Sequence, residues 1–125
     1  MRIILTTVLM VCTLGTASQY GPGVMESVIY NRQAIGSLPM ELPRVDGYIA
    51  VYDCSKVGSV WQVNDERFLV ADCAGDDYTR LWMMWNAIGV EVDYDTAVRW
   101  HTVGVGKVVN ICQPETSPVR PHTLE

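Results

Sequence analysis

Residues 59–71 read SVWQVNDERFLVA, and this stretch decides the fold class. Over 59–63 the chain alternates, with Val60 and Gln62 on one face and Trp61 and Val63 on the other, which is the period of a β-strand. Asn64-Asp65 supplies a tight turn, and 67–71 (RFLVA) follows as a short continuous apolar run, the pattern of a buried strand. Two such strands about a two-residue turn predict a hairpin. Working outward, 47–51 (GYIAV) is apolar and strand-like, Val90, Val92 and Tyr94 alternate with Glu91 and Asp93, and 107–112 (KVVNIC) makes a last strand. Short strands separated by frequent turns predict an all-β domain.

Two segments between the strands predict short helices. Asp95 is positioned to cap a helix over 96–102 that Gly104 stops, with Ala97, Trp100 and His101 on one face and Trp100 as the packing residue. The second helix covers 76–87 (DDYTRLWMMWNA), capped by Asp76 or Asp77, with Leu81, Trp82, Met84 and Trp85 giving a broad apolar surface. No repeat or linker interrupts the middle of the chain.

Composition sets the outer bounds. The chain has 125 residues, 49% hydrophobic and 18% charged, with a formal net charge of −5. That suits one domain able to bury its own core and excludes a disordered chain. The acidic balance, with Arg32, Arg44, Lys56, Arg67, Arg80, Arg99 and Lys107 scattered along the chain, argues against nucleic acid as a partner. Met1-Arg2, an apolar run to Gly15 and the small residues Gly15-Thr16-Ala17 have the form of a secretory signal peptide over 1–17. The run is too short to span a bilayer as a helix. The competing reading is a buried first strand.

Cleavage after Ala17 leaves a domain over 18–113 and a Pro-rich tail over 114–125, expected to be disordered. It also leaves Cys54, Cys73 and Cys112, of which an exported protein is expected to pair two. Which two, the sequence leaves open. With no CxxC and two histidines, no metal site is expected, and no cofactor motif is present.

The order of the motifs carries a resemblance. Tyr20-Gly21-Pro22-Gly23 opens the domain. Then come 50–58 (AVYDCSKVG), 59–63 (SVWQV), 68–75 (FLVADCAG), 90–95 (VEVDYD) and the last strand. This order resembles the double-psi β-barrel domains of bacterial cell-wall proteins. These are the rare-lipoprotein-A-like, three-aspartate and lytic transglycosylase A groups, with expansins and barwin more distant. The resemblance covers about residues 20–111. It implies a six-stranded double-psi β-barrel with one or two short helices, exported to the periplasm, cell wall or medium. It implies peptidoglycan or another polysaccharide as partner, and either non-hydrolytic cleavage of glycan strands or plain binding. No stable membrane span is expected after processing.

By the same resemblance Asp72 falls on the catalytic acid, the second acidic position falls on Asp93 or Glu91, and Tyr20 lines the groove. Tyr52 or Asp53 stands where some members have a histidine. The turn after Asp72 lacks the arginine that often follows, and 76–88 is an insertion. Lytic cleavage needs one carboxylic acid that protonates the bridging oxygen and then takes a proton from the sugar's own hydroxyl. Burial at the end of an apolar strand suits Asp72 to stay protonated. Its plain alternative is a turn residue bonding its own backbone. Glu91 and Asp93 have a solvated strand face as alternative, and Asp53 a turn. Tyr78, Trp82 and Trp85 could stack on sugar rings. Their alternative is a helix buried through Leu81, Met84 and Trp85.

Overall fold

The computed structural model describes residues 9–114. In chain order the elements are β1 (Met10–Gln19), α1 (Val24–Ala34), β2 (Gly47–Val51), a 3-10 turn (Cys54–Lys56), β3 (Val60–Val63) and β4 (Glu66–Cys73). They continue with α2 (Asp77–Trp85), β5 (Ile88–Val92), α3 (Tyr94–Trp100) and β6 (Lys107–Pro114). The strands close into a barrel in the order β1-β5-β2-β4-β3-β6. The barrel is mixed: β1 runs parallel to β5 and β2 parallel to β4, while the other neighbours are antiparallel. Closure removes the open edges that a six-stranded sheet would otherwise present.

The interior is filled by the inward residues of every strand. Ala17, Ile49, Val51, Trp61, Val63, Phe68, Val70, Val90, Val92, Val109 and Ile111 form one buried cluster with Ala97 of α3. Trp61 and Val63, set on one face by the alternation in 59–63, belong to it, as do Phe68 and Val70 of the apolar run. The expected hairpin is β3–β4, with Asn64 and Asp65 in the left-handed region at the turn (φ 50° and 67°), where Asn and Asp are tolerated.

Among the described residues three helices accompany the barrel where one or two were expected. α1 was not legible. Its N-cap is Gly23 with no side-chain cap, and only Met25 and Ile29 are buried. It forms because those two, with Leu38, pack against Leu69 and Ala71 on the outer face of β4. The cap of α3 is Asp93, not Asp95. Asp93 accepts from Thr96 N at 3.2 Å and Thr96 Oγ1 at 2.6 Å, so the strand ends at Val92 and Tyr94 begins the helix. α2 is capped by Asp76, which accepts from Thr79 N at 2.7 Å.

The segment read as a leader, 1–17, contributes residues 10–17 to β1, which is the alternative reading of a first strand; residues 1–8 lie outside the described residues. β1 pairs with β6 along eight residues, from Met10↔Pro114 to Ala17↔Lys107. Cleavage after Ala17 would remove most of this strand. Cys12 is disulfide-bonded to Cys112, directly opposite it in the ladder, and Cys54 is bonded to Cys73. The third cysteine therefore has a partner in the stretch expected to be lost. Two disulfides fit an oxidising compartment. Among the described residues no helix is long and apolar enough to cross a membrane. Of the tail expected over 114–125, Pro114 belongs to β6 and the remainder lies outside the described residues.

Candidate functional site

A β-bulge sets the site. In the β2–β4 pair Ile49 stands opposite Val70, but Ala50 stands opposite Asp72, so Ala71 is an extra residue. By simple alternation Asp72 would follow Phe68 and Val70 into the interior. The bulge turns it outward, a common use of bulges beside functional groups. Ala50 also stands opposite Glu91 of β5, and Glu91 stands opposite Ser18 of β1. Ser18, Glu91, Ala50 and Asp72 thus form one row across four adjacent strands, on the outer face. The small Ala50 separates two carboxyl residues whose backbones are two strand spacings apart, roughly 10 Å.

The neighbours of the row come from α1 and the end of β1. Tyr20, just past β1, donates its hydroxyl to Asp72 Oδ2 at 2.6 Å. Arg32, in the last turn of α1, pairs through Nη2 with Asp72 Oδ1 at 2.8 Å. The same nitrogen reaches Cys73 Sγ at 3.5 Å, and Nη1 reaches Ser37 Oγ at 3.4 Å. The Asp72 and Arg32 side chains are 17% and 23% exposed, half-shielded rather than interior. Ser18 Oγ and Arg32 Nε are buried without a hydrogen-bond partner among the described residues.

The electrostatics of the row act on Glu91 and Tyr20. Burial pushes the Glu91 carboxyl above its ordinary range and the charge of Asp72 adds to the rise. The nearby Ser18 hydroxyl opposes it, although it stands outside hydrogen-bond geometry. Burial and then the bond to Asp72 raise the Tyr20 phenol far above its usual range, with Glu91 contributing and Arg32 opposing. Tyr20 is therefore a permanent donor at ordinary pH. Burial raises Glu91, while Asp72 has Tyr20 on one oxygen and Arg32 on the other.

The other expected site residues are distributed as follows. Asp93 is buried and spent on structure: besides Thr96, it accepts from Tyr48 N at 2.9 Å, and no hydrogen bond joins it to the Asp72 cluster among the described residues. Its expected place on one strand face with Glu91 is corrected by the chain turning into α3. Asp53 accepts from Ser55 N at 3.0 Å and Ser55 Oγ at 2.8 Å, bonds that hold its carboxyl below the usual range and make it the cap of the 3-10 turn. Tyr52 is exposed beside it. Tyr78, Trp82 and Trp85 are exposed on α2, and the alternative of burial through Leu81, Met84 and Trp85 is overturned: Met83 is the buried residue of that helix.

Sequence reasoning missed Arg32 and Ser18. Arg32 lies 40 residues from Asp72 and is delivered by the one helix the sequence did not announce. It brings a guanidinium to Asp72 from another part of the chain. Ser18 was assigned to the first residue after a cleavage site; a first strand with period two would have placed it beside Tyr20 on the outer face. No group of three or more His, Cys, Asp or Glu able to hold a metal occurs among the described residues.

No protein-family model matches this chain, and no curated protein or solved structure matches it.

Proposed function

We propose that the chain is an exported cell-wall protein that holds a peptidoglycan glycan strand against the Ser18–Glu91–Ala50–Asp72 row and cleaves it without water. The observation that carries this reading is the row itself, which sets two carboxyls in unlike surroundings on either side of Ala50: Glu91, raised by burial, and Asp72, bonded by Tyr20 and Arg32. Two carboxyls in unlike surroundings, one raised by burial and one bonded on both oxygens, suit divided acid and charge-stabilising roles. Glu91 gives its proton to the bridging oxygen as the C1–O bond breaks, and the leaving sugar departs as an alcohol. The Asp72 charge faces the cation that develops at C1. The Glu91 carboxylate then takes the proton of the sugar's own C6 hydroxyl as that oxygen closes on C1, which leaves an internal 1,6-anhydro ring and restores the acid.

The two parallel pairs, β1–β5 and β2–β4, support the finer reading of the barrel as double-psi. The two disulfides support export. A second reading, a non-catalytic glycan- or protein-binding module on the same barrel, is favoured by the engagement of both Asp72 oxygens.

The test is digestion of purified sacculi by wild type, Glu91→Gln and Asp72→Asn, with released muropeptides read by mass spectrometry. Release of 1,6-anhydro products by wild type and their loss in Glu91→Gln is the expected result. Binding without release by wild type would leave the binding module.

A further inference from the structure

α2 is an amphipathic helix mounted with its apolar side outward. At 100° per residue Met83 points opposite to Leu81, Trp85 and Tyr78. Met83 is 1% exposed and packs against Ala74 and Ile88, so it anchors the helix to the barrel. The opposite face carries Tyr78 at 80% and Trp85 at 88% exposed, with Leu81, Trp82 and Met84 also exposed. Tyr78, Leu81, Trp82, Trp85 and Asn86 line a cleft of about 360 Å³ on that face. Nothing in the folding of the barrel requires aromatic rings there, and each exposed indole forgoes the burial that normally offsets its apolar area.

We infer that this face is a stacking platform for an uncharged stretch of glycan strand, separate from the carboxyl row; the inference rests on the glycan reading above. Three observations choose this occupant. First, Tyr78, Trp82 and Trp85 follow one another at i, i+4 and i+7, which spreads three rings over about 10 Å of helix axis. Pyranose rings present flat C–H faces to such rings, and an indole N–H and the Asn86 amide at the rim can meet hydroxyls. Second, the face itself is uncharged, and Asp76 and Asp77 at its near end outnumber Arg80 on its flank, on a chain of net charge −5, which disfavours an anionic lipid surface. A stable protein–protein interface buries about 800 Å² per partner, more than one face of a nine-residue helix offers. Third, the helix leaves the end of β4 directly: Asp72 is four residues before the cap Asp76, so the helix is rooted next to the row in the chain.

The experiment is co-sedimentation of the full chain with purified sacculi, and with phosphatidylcholine vesicles as a second surface. Wild type is compared with Trp82→Ala/Trp85→Ala and Trp82→Tyr/Trp85→Tyr. These side chains are exposed, so melting temperatures should match. The expected result is at least a tenfold loss of sacculus affinity in the alanine pair, about 1.4 kcal/mol or more, and its recovery in the tyrosine pair, which keeps rings in place. Equal binding by wild type and the alanine pair overturns the platform and leaves the carboxyl-row reading standing. Absence of sacculus binding by wild type overturns both. Ring-dependent binding to vesicles without binding to sacculi overturns the glycan platform in favour of a lipid surface.

Discussion

The Tyr20 hydroxyl donates to Asp72 Oδ2 at 2.6 Å across 52 residues of sequence, joining the end of the first strand to the outer face of the fourth. Tyr20→Phe removes the donor and keeps the ring. It should cost about 1–3 kcal/mol in a urea titration, because a part-buried carboxylate loses a partner. The folded state holds the Tyr20 proton more tightly than the unfolded chain, so this contribution is fully present below pH 10 and is lost as pH rises beyond it. The gap between wild type and Tyr20→Phe should therefore narrow above pH 10. A gap that widens there would contradict the assignment.

Glu91 behaves oppositely to an ion-paired acid. Its folded carboxyl is raised above 4.5, so its stabilising contribution is present below that pH and is lost as pH rises through the folded value. Glu91→Gln should be more stable than wild type at pH 7, and the two should converge at about pH 4 and below. Thermal unfolding over that range, paired with the digestion assay, separates stability from chemistry: the same substitution that stabilises should abolish product release.

The two disulfides close loops of different length. Cys12–Cys112 spans 100 residues and Cys54–Cys73 spans 19. Loop-closure entropy gives about 5 kcal/mol for the first and about 3 kcal/mol for the second. Cys12→Ser/Cys112→Ser should unfold at the lower denaturant concentration of the two paired variants. Equal midpoints would mean that the unfolded chain is already compact about the long loop.

Asp93→Ala should lower stability by about 2–4 kcal/mol without a specific effect on glycan release, since it removes a helix cap together with the acceptor for Tyr48 N. The pocket that receives this carboxylate is tight: a Cβ on Gly47 would lie 2.4 Å from Thr96 Oγ1 and 2.8 Å from Asp93 Oδ1. Gly47→Ala should be destabilising through the same contact. A denaturation series on both variants and the pair checks this, with the double substitution costing less than the sum.

The retention of β1 is tested by intact mass of protein purified from culture medium or periplasm. A chain that keeps residues 10–17 carries four cysteines in two bonds. A chain cut after Ala17 would carry three and would lack the strand that joins β5 to β6.

Five strands were legible because each shows apolar residues at period two or as a short run, and burial in the barrel enforces that pattern. The first strand was ambiguous for a physical reason: a strand of small and apolar residues and a leader are built from the same side chains, and 10–17 carries no charged residue and only Thr13 and Thr16 as polar ones. α1 stayed hidden because two buried residues, Met25 and Ile29, are enough to hold it. Its arginine was hidden with it. Asp72 and Glu91 were both visible as candidates, but their roles were not, since the bulge at Ala71 and the arrival of Arg32 decide which carboxyl is bonded and which is left to burial.

The bond between Cys12 and Cys112 ties the first strand to the last, so the chain from one to the other is a covalent ring. A single proteolytic nick anywhere within that ring yields no separable fragment until the bond is reduced, and the cut ends remain tethered to a barrel whose seam is still closed. The β1–β6 seam also brings the first and last described strands side by side, with Met10 opposite Pro114. The two described ends therefore lie at one pole of the barrel, while Ser18, the first member of the Asp72 row, stands at the opposite end of β1.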